Sequence, residues 1–242
     1  MRPSRLPHGL PFGAIVTDYD RTLTDGDLHV SYTALRLLSE LQEREHVLVL
    51  IATGRNLSFV RRRRRELGQM DCIVCENGAV LWFPSRRKVV RFGDMSAARS
   101  MLIARGIPFD AGEVVVSVPR SYEDDLRRVA EALGGLVHLV SNRDSVMILP
   151  SGVDKASGVT RALSELGANS PRLVCIGDGE NDASLFSLAS LRVATFDAVE
   201  SLKEMADYVC EAPASKGVEA FLKGLLRGTL PACRAGSEVE MK

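Results

Sequence analysis

Three apolar runs of strand length constrain this chain most, because each stops abruptly at polar residues suited to chemistry. Ile15-Val16 leads into Thr17-Asp18-Tyr19-Asp20-Arg21-Thr22-Leu23-Thr24. Val47 to Ile51 leads into Ala52-Thr53-Gly54-Arg55, and Leu173 to Ile176 into Gly177-Asp178-Gly179-Glu180-Asn181-Asp182. Runs that are apolar throughout suit parallel strands covered on both faces. Between the first two, Ser31 is a fitting N-cap for a helix to about Glu45, with Leu35, Leu38 and Leu41 on one stripe and Leu37 beside it. Strand, helix, strand is the βαβ signature of an α/β fold. In open parallel sheets ligands sit beyond the carboxyl ends of the strands. Asp18, Thr53 and Asp178 all fall just past such ends, so they can converge although far apart in the chain.

Positions i and i+2 of an extended segment face the same side, so Asp18 and Asp20 are expected to share one small space. Like charges that close call for a shared proton or a bound cation, and the acids of the later loop favour a cation. Asp154-Lys155 opens a helix with Val159, Ala162, Leu163 and Leu166 inward and Gly167 at its end. Each residue also has an ordinary structural role: aspartate is common in turns, Thr53 would serve as a helix cap, Asp182 as an N-cap, and Asp154-Lys155 as a charged helix start. The ordered set is what argues for one site.

The middle of the chain changes character. Cys72 to Cys75 reads as a third strand, turned through Asn77-Gly78 into Ala79 to Phe83. Beyond it come a hairpin arm at 86–92, a helix from Asp94 to Arg105 and a strand at 114–118. A helix follows behind a Ser121–Asp124 capping box, with Leu126, Val129, Ala130 and Leu133 on one face; strands at 136–140 and 145–149 complete the segment. Strands and helices no longer alternate, which favours an α+β insert. The expected division is a core of 1–82 and 152–228, a cap of 83–151 and a flexible tail of 229–242. In the returning core, 191–194 and 208–210 read as short edge strands and 215–226 as a last amphipathic helix.

Composition excludes little but directs the reading. With a formal net charge of zero over 242 residues, the whole chain makes no case for nucleic acid or an anionic membrane. No apolar run approaches the roughly 20 residues of a membrane-spanning helix, and the three prolines of Met1 to Gly13 do not suit a signal peptide. Five cysteines, an odd number, fit a reducing compartment, so a cytoplasmic location is expected. Cys72 and Cys75 lie within one strand pattern, on opposite faces, as buried small hydrophobes. Arg61 to Arg65 go all the way round a helix and read as a solvated face; a phosphate or nucleic-acid patch is the alternative.

Taken together, the four segments resemble the four motifs of the haloacid dehalogenase superfamily of phosphohydrolases. These are D-x-D-x-T, a hydroxyl residue after the second strand, a lysine, and G-D-x-x-N-D. The resemblance implies a Rossmann-like α/β core with a parallel sheet, and a smaller α+β cap domain. It implies a Mg²⁺-dependent phosphatase in which Asp18 attacks phosphorus and Asp20 is the general acid and base. Asp18, the Asp20 backbone carbonyl and Asp178 would bind Mg²⁺, with Asp182 as a further ligand or supporting partner. Thr53, Gly54 and nearby N–H groups, with Lys155, would hold the phosphate, and Asn181 would orient substrate or Asp18. Many relatives have glycine where Arg21 stands, which puts in doubt a backbone conformation that needs glycine.

Length, cap position and the G-D-G-E-N-D loop look most like archaeal-type phosphoglycolate phosphatases and the related sucrose- and mannosylglycerate-phosphate phosphatases. The expected partner is thus a small phosphorylated metabolite, 2-phosphoglycolate first, acted on by a monomer or homodimer. The alternatives are a sugar-phosphate phosphatase, a phosphomutase, a phospho-accepting receiver domain, and a nucleic-acid binder built on the arginine run. Selectivity for a carboxylate would need a cation or backbone donors from the cap, where Arg86, Arg87, Lys88, Arg105 and Arg143 are the candidates.

Overall fold

The structure, a computed structural model, describes residues 10–142, 145–168 and 171–229. Its larger sheet has eight strands in the order β12-β11-β10-β1-β2-β3-β4-β5. These are β1 (Ala14–Thr17), β2 (Leu48–Ala52), β3 (Cys72–Cys75), β4 (Val80–Phe83), β5 (Lys88–Arg91), β10 (Leu173–Gly177), β11 (Leu191–Ala194) and β12 (Tyr208–Val209). All neighbours from β12 to β3 are parallel, while β3–β4 and β4–β5 are antiparallel. β1 sits between β10 and β2, so the apolar runs before Asp18, Thr53 and Asp178 are adjacent strands with their carboxyl ends on one edge.

Helices cover both faces. α1 (Tyr32–Glu45) and α9 (Ala214–Leu226) bury Leu38, Leu41, Val218 and Leu222 with Ile15, Val49 and Ile51. α6 (Lys155–Leu166), α7 (Ala183–Leu188) and α8 (Glu200–Met205) bury Val159, Ala162, Leu185 and Leu202 with Ala14, Val16 and Leu50. Truncating a fully buried leucine such as Leu38 to alanine costs about 2–5 kcal/mol. Ser31 caps α1 as expected, its Oγ accepting the Ala34 N–H at 3.0 Å, and it donates to Glu219 on α9 at 2.7 Å. Cys72 and Cys75 pack on opposite faces of the sheet.

The smaller sheet is antiparallel, in the order β6-β7-β9-β8. Its strands are β6 (Asp110–Ala111), β7 (Val116–Pro119), β8 (Val137–Asn142) and β9 (Ser145–Pro150), accompanied by α4 (Ser96–Ala104) and α5 (Glu123–Leu133). This is the α+β cap on the α/β core. β5 belongs to the large sheet, so the small one draws its strands from 110–150 alone.

Several local expectations need correction. The Ser121–Asp124 capping box does not form: a 3-10 turn at Arg120–Tyr122 leads into α5, which begins at Glu123 with no side-chain cap. The arginine run is not one helix, because α2 (Leu57–Arg62) and α3 (Arg64–Leu67) break at Arg63, whose guanidinium lies 3.8 Å from the Phe59 ring centroid. β11 is an interior strand between β10 and β12, and β6 and α8 had no signal in the sequence reading. Arg143 and residues 230–242 of the expected tail lie outside the described residues. Among the described residues no helix is long and apolar enough to cross a membrane.

Candidate active site

β1 ends at Thr17, but its ladder runs one bond further: the Asp18 N–H donates to Ile176 O at 2.9 Å. That bond fixes Asp18 at the mouth of the β1–β10 crevice. The chain then leaves the strand. Leu23 N–H returns to Tyr19 O at 2.9 Å, and Arg21 N–H donates to Thr24 Oγ1 at 2.7 Å. Strand alternation therefore does not bring Asp20 beside Asp18; the turn does, and both carboxylates line one cavity. Arg21 stands at φ 58°, so the conformation that glycine would favour is held here by an arginine. Asp20 accepts from Arg55 Nε at 2.9 Å and from Nη2 at 2.8 Å, while Arg55 lies 4.6 Å from the Phe59 centroid.

Lys155 is almost wholly buried, 1% exposed. The Asp154 carboxylate accepts the Ser157 N–H at 2.7 Å, and Ser157 Oγ accepts the Asp154 N–H at 2.9 Å, a reciprocal box that sets the start of α6. Gly78, at φ 102°, permits this, since a Cβ there would strike the Asp154 carbonyl. From that start Lys155 Nζ reaches Asp18 Oδ1 and Asp182 Oδ1, each at 2.6 Å. Asp182 Oδ2 accepts the N–H groups of Asp178 and Gly179 at 3.0 Å, which folds the acidic loop over the lysine. Burial alone would lower Lys155, but the Asp18 and Asp182 charges outweigh it and hold it above the usual lysine value. Burial raises the Asp18 carboxyl well above its ordinary value; Lys155 works against this, while Asp182, Asp178 and Asp20 add to it.

The cavity measures about 360 Å³. Asp18, Asp20, Gly54, Asp178 and Asn181 line it, whereas Thr53, Lys155 and Asp182 lie beneath its floor. Thr53 Oγ1 accepts the Arg55 N–H at 3.1 Å, and Asn181 Nδ2 donates to Asn77 Oδ1 at 3.1 Å. Asp18, Asp178 and Asp182 are buried and offer carboxylate oxygens within 4.8 Å of one another. Three carboxylates against one lysine leave an excess of negative charge, and hard oxygen donors suit a divalent cation. Asp182 already serves Lys155 and two N–H groups, so Asp18 and Asp178 are the oxygens turned toward the cavity.

The cap side contributes Asp110, Gly112, Val115, Ser117, Ser145 and Met147. None of Arg86, Arg87, Lys88 and Arg105 is among the lining residues. Arg86 and Lys88 bind Glu165 on α6, and Arg87 faces a separate groove with Arg61, Arg64 and Trp82.

Two functional residues escaped the sequence reading. Arg55, next to Thr53-Gly54, has a partner visible only in three dimensions. Glu76, 1% exposed at φ 54°, accepts the N–H groups of Glu113, Val114 and Val115 at 2.8 to 2.9 Å. Those bonds draw 113–115 out of the strand pattern, which is why β7 begins two residues later than the apolar run. Gly112 admits the carboxylate, because a Cβ there would meet it. On the other side of the same loop Arg99 donates to the carbonyls of Gly112, Glu113 and Val114 at 2.9 to 3.2 Å.

Comparison with known proteins agrees with this geometry. The family pattern described as haloacid dehalogenase-like hydrolase matches residues 15–106 and 114–222. The protein named phosphoglycolate phosphatase from Archaeoglobus fulgidus is 31% identical over 88% of this chain and 98% of its own length. One of the same name from Methanopyrus kandleri is 30% identical over 88% and 96%. Among solved structures, a haloacid dehalogenase-like hydrolase from Bacteroides thetaiotaomicron superposes with a TM-score of 0.75 at 18% identity, covering 88% of this chain and 99% of that one. A sugar phosphatase of subclass IIB superposes with a TM-score of 0.68 at 18% identity, with the same coverage. The chain belongs to the haloacid dehalogenase-like hydrolases. It is an enzyme of that class, with a core and a cap.

Proposed function

We propose that this hydrolase is a phosphatase of small phosphomonoesters, working through an aspartyl-phosphate on Asp18, with Mg²⁺ as its metal and 2-phosphoglycolate as its substrate. The observation that carries the reading is Asp18 itself: a nearly buried carboxylate at the carboxyl end of the central strand, open to the cavity, with one oxygen held by Lys155. That hold leaves the other oxygen for attack on phosphorus. Bound by Asp18 and Asp178, a divalent cation would offset the repulsion between anionic nucleophile and anionic phosphate. Lys155 fixes Asp18 and Asp182 together and adds positive charge below the phosphate. Gly54 leaves room for the phosphate oxygens, and Thr53 fixes the loop that carries it. Asn181, tied to Asn77, orients the group that is transferred. Asp20 protonates the leaving oxygen and then takes a proton from the water that opens the intermediate. Arg55 orients Asp20 by donating to both of its carboxylate oxygens.

For the substrate, support comes from the relatives named phosphoglycolate phosphatase. A sugar phosphate is the second reading, favoured by the hydroxyls of Ser117 and Ser145 and the carboxylate of Asp110 on the cap side. We place the enzyme in the cytoplasm, as monomer or homodimer, where its described cysteines, all free and buried, would stay reduced. The test compares kcat/KM for 2-phosphoglycolate, sucrose 6-phosphate, mannosyl-3-phosphoglycerate and hexose phosphates, with Mg²⁺ and after chelation. Any sugar phosphate tenfold better than phosphoglycolate, about 1.4 kcal/mol in transition-state binding, overturns the substrate. Full turnover in rigorously metal-free enzyme overturns the metal.

A further inference from the structure

Arg21 follows Asp20 in the turn at the mouth of the cavity, with its backbone in the left-handed region at φ 58°. Glycine adopts that conformation freely, while any residue with a Cβ adopts it against its sterics. The turn itself is set elsewhere, by Arg21 N–H on Thr24 Oγ1 and Leu23 N–H on Tyr19 O. Nothing in these bonds calls for a side chain at 21. A large cation therefore occupies a position that glycine would fill with less strain, and strain of this kind gathers where a side chain is needed for function.

The side chain lines the cavity, and among the described residues its guanidinium makes no ion pair. Arg55, the other cation lining the cavity, is engaged on both oxygens of Asp20 and lies over Phe59. No cation of the described cap residues joins them. A second anionic group on a substrate thus has one unengaged partner, and it stands on the core side. Arg21 also lines the same cavity as Asp20, the residue assigned to the leaving oxygen, so a group carried beside that oxygen shares the cavity with the Arg21 side chain.

We propose that Arg21 is a specificity-determining residue, binding a carboxylate carried on the carbon next to the ester oxygen of the substrate. The planar guanidinium fork matches a carboxylate in two parallel hydrogen bonds, which a lysine cannot reproduce. This assignment rests on the phosphatase reading above, and it narrows the substrate class to phosphate esters of 2-hydroxy acids.

The experiment uses the full chain with Mg²⁺ and two esters, 2-phosphoglycolate and its neutral isostere 2-phosphoglycolamide. Wild type is expected to favour the acid by at least about tenfold in kcat/KM, since a site built for a charged group rejects the analogue that lacks it. R21Q and R21G should bring the two esters to near parity, chiefly by raising KM for the acid, and R21K should fall between. R21G guards against misfolding, because glycine suits the backbone at this position, and circular dichroism checks both variants. An enzyme selective for 2-phosphoglycolate whose preference survives R21Q and R21G overturns the role of Arg21 and leaves the phosphatase reading intact. An active phosphatase that treats acid and amide alike in wild type overturns the carboxylate site. A wild type that hydrolyses no phosphoester overturns the phosphatase reading, and this assignment with it.

Discussion

Two buried carboxylate centres border the same crevice and are compensated in opposite ways. In the core, Asp18 and Asp182 share the ammonium of Lys155, charge against charge, at 2.6 Å each. At the cap loop, Glu76 draws on the backbone N–H groups of Glu113, Val114 and Val115. The difference lies in what each arrangement leaves over. Lys155 engages one oxygen of Asp18, and Asp18 and Asp178 still line the cavity, so such a centre can bind and react. Both oxygens of Glu76 are taken by peptide groups from the other sheet's loop, so that centre holds architecture in place. Burial of a carboxylate by itself separates neither case; the partner does.

The largest expected effect strikes the reactive centre. D18N should lower kcat/KM on the order of 10⁴-fold or more, as loss of a covalent nucleophile does, with an unchanged circular dichroism spectrum. Substantial activity in folded D18N would remove the distinction between the two centres. K155M should come next, because it leaves Asp18 and Asp182 buried without a cation. Urea unfolding in EDTA should show a loss of about 3–5 kcal/mol, with part of it returned by Mg²⁺. If Mg²⁺ returns nothing, the three carboxylates do not act as a cation site. E76A should cost less, about 2–3 kcal/mol for N–H groups left unpaired, and hydrogen exchange should accelerate at 113–115. Unchanged exchange there would mean that Glu76 does not hold the loop.

Smaller effects sharpen the same contrast. R21G should leave stability within about 1 kcal/mol of wild type, on the stabilising side, since relief of the left-handed strain is partly offset by glycine's greater freedom in the unfolded chain. A clear loss in urea unfolding would mean that Arg21 is a structural residue. The thiols should be silent. Burial pushes Cys210 up to about 12 and raises Cys72, Cys75 and Cys175 as well. The reactive form is the thiolate, so iodoacetamide at pH 8 should leave these four unmodified in the native protein, as peptide mass spectrometry would show.

The carboxylate centre around Asp18 was legible in the sequence because its residues follow apolar runs, and adjacent parallel strands must bring the ends of such runs together. Asp18, Gly54 and Asp178 needed nothing more. Asp20 shares the cavity with Asp18, but through a turn closed by Thr24 and not through strand alternation. Glu76 was not legible, because its partners are peptide N–H groups, which every residue except proline carries. A carboxylate that seeks such partners leaves no side-chain pattern to read. The same holds for β7: Val114 and Val115 look like strand residues, and only the loss of their N–H groups to Glu76 takes them out of the ladder. Ser121 and Asp124 had the spacing of a capping box, but the 3-10 turn at Arg120–Tyr122 took the place where the cap would form.

The loop at 112–115 lies between Arg99, which holds its carbonyls, and Glu76, which holds its N–H groups. Both anchors grip the main chain and neither bonds to a side chain of the loop, although at Gly112 a Cβ would meet Glu76. Ser117, half-buried on the cavity wall just past the loop, can therefore be exchanged while the mould beside it keeps its shape, whereas Val115 is also packed into the apolar core. A protein built this way can change the lining of its pocket one residue at a time without remaking the wall.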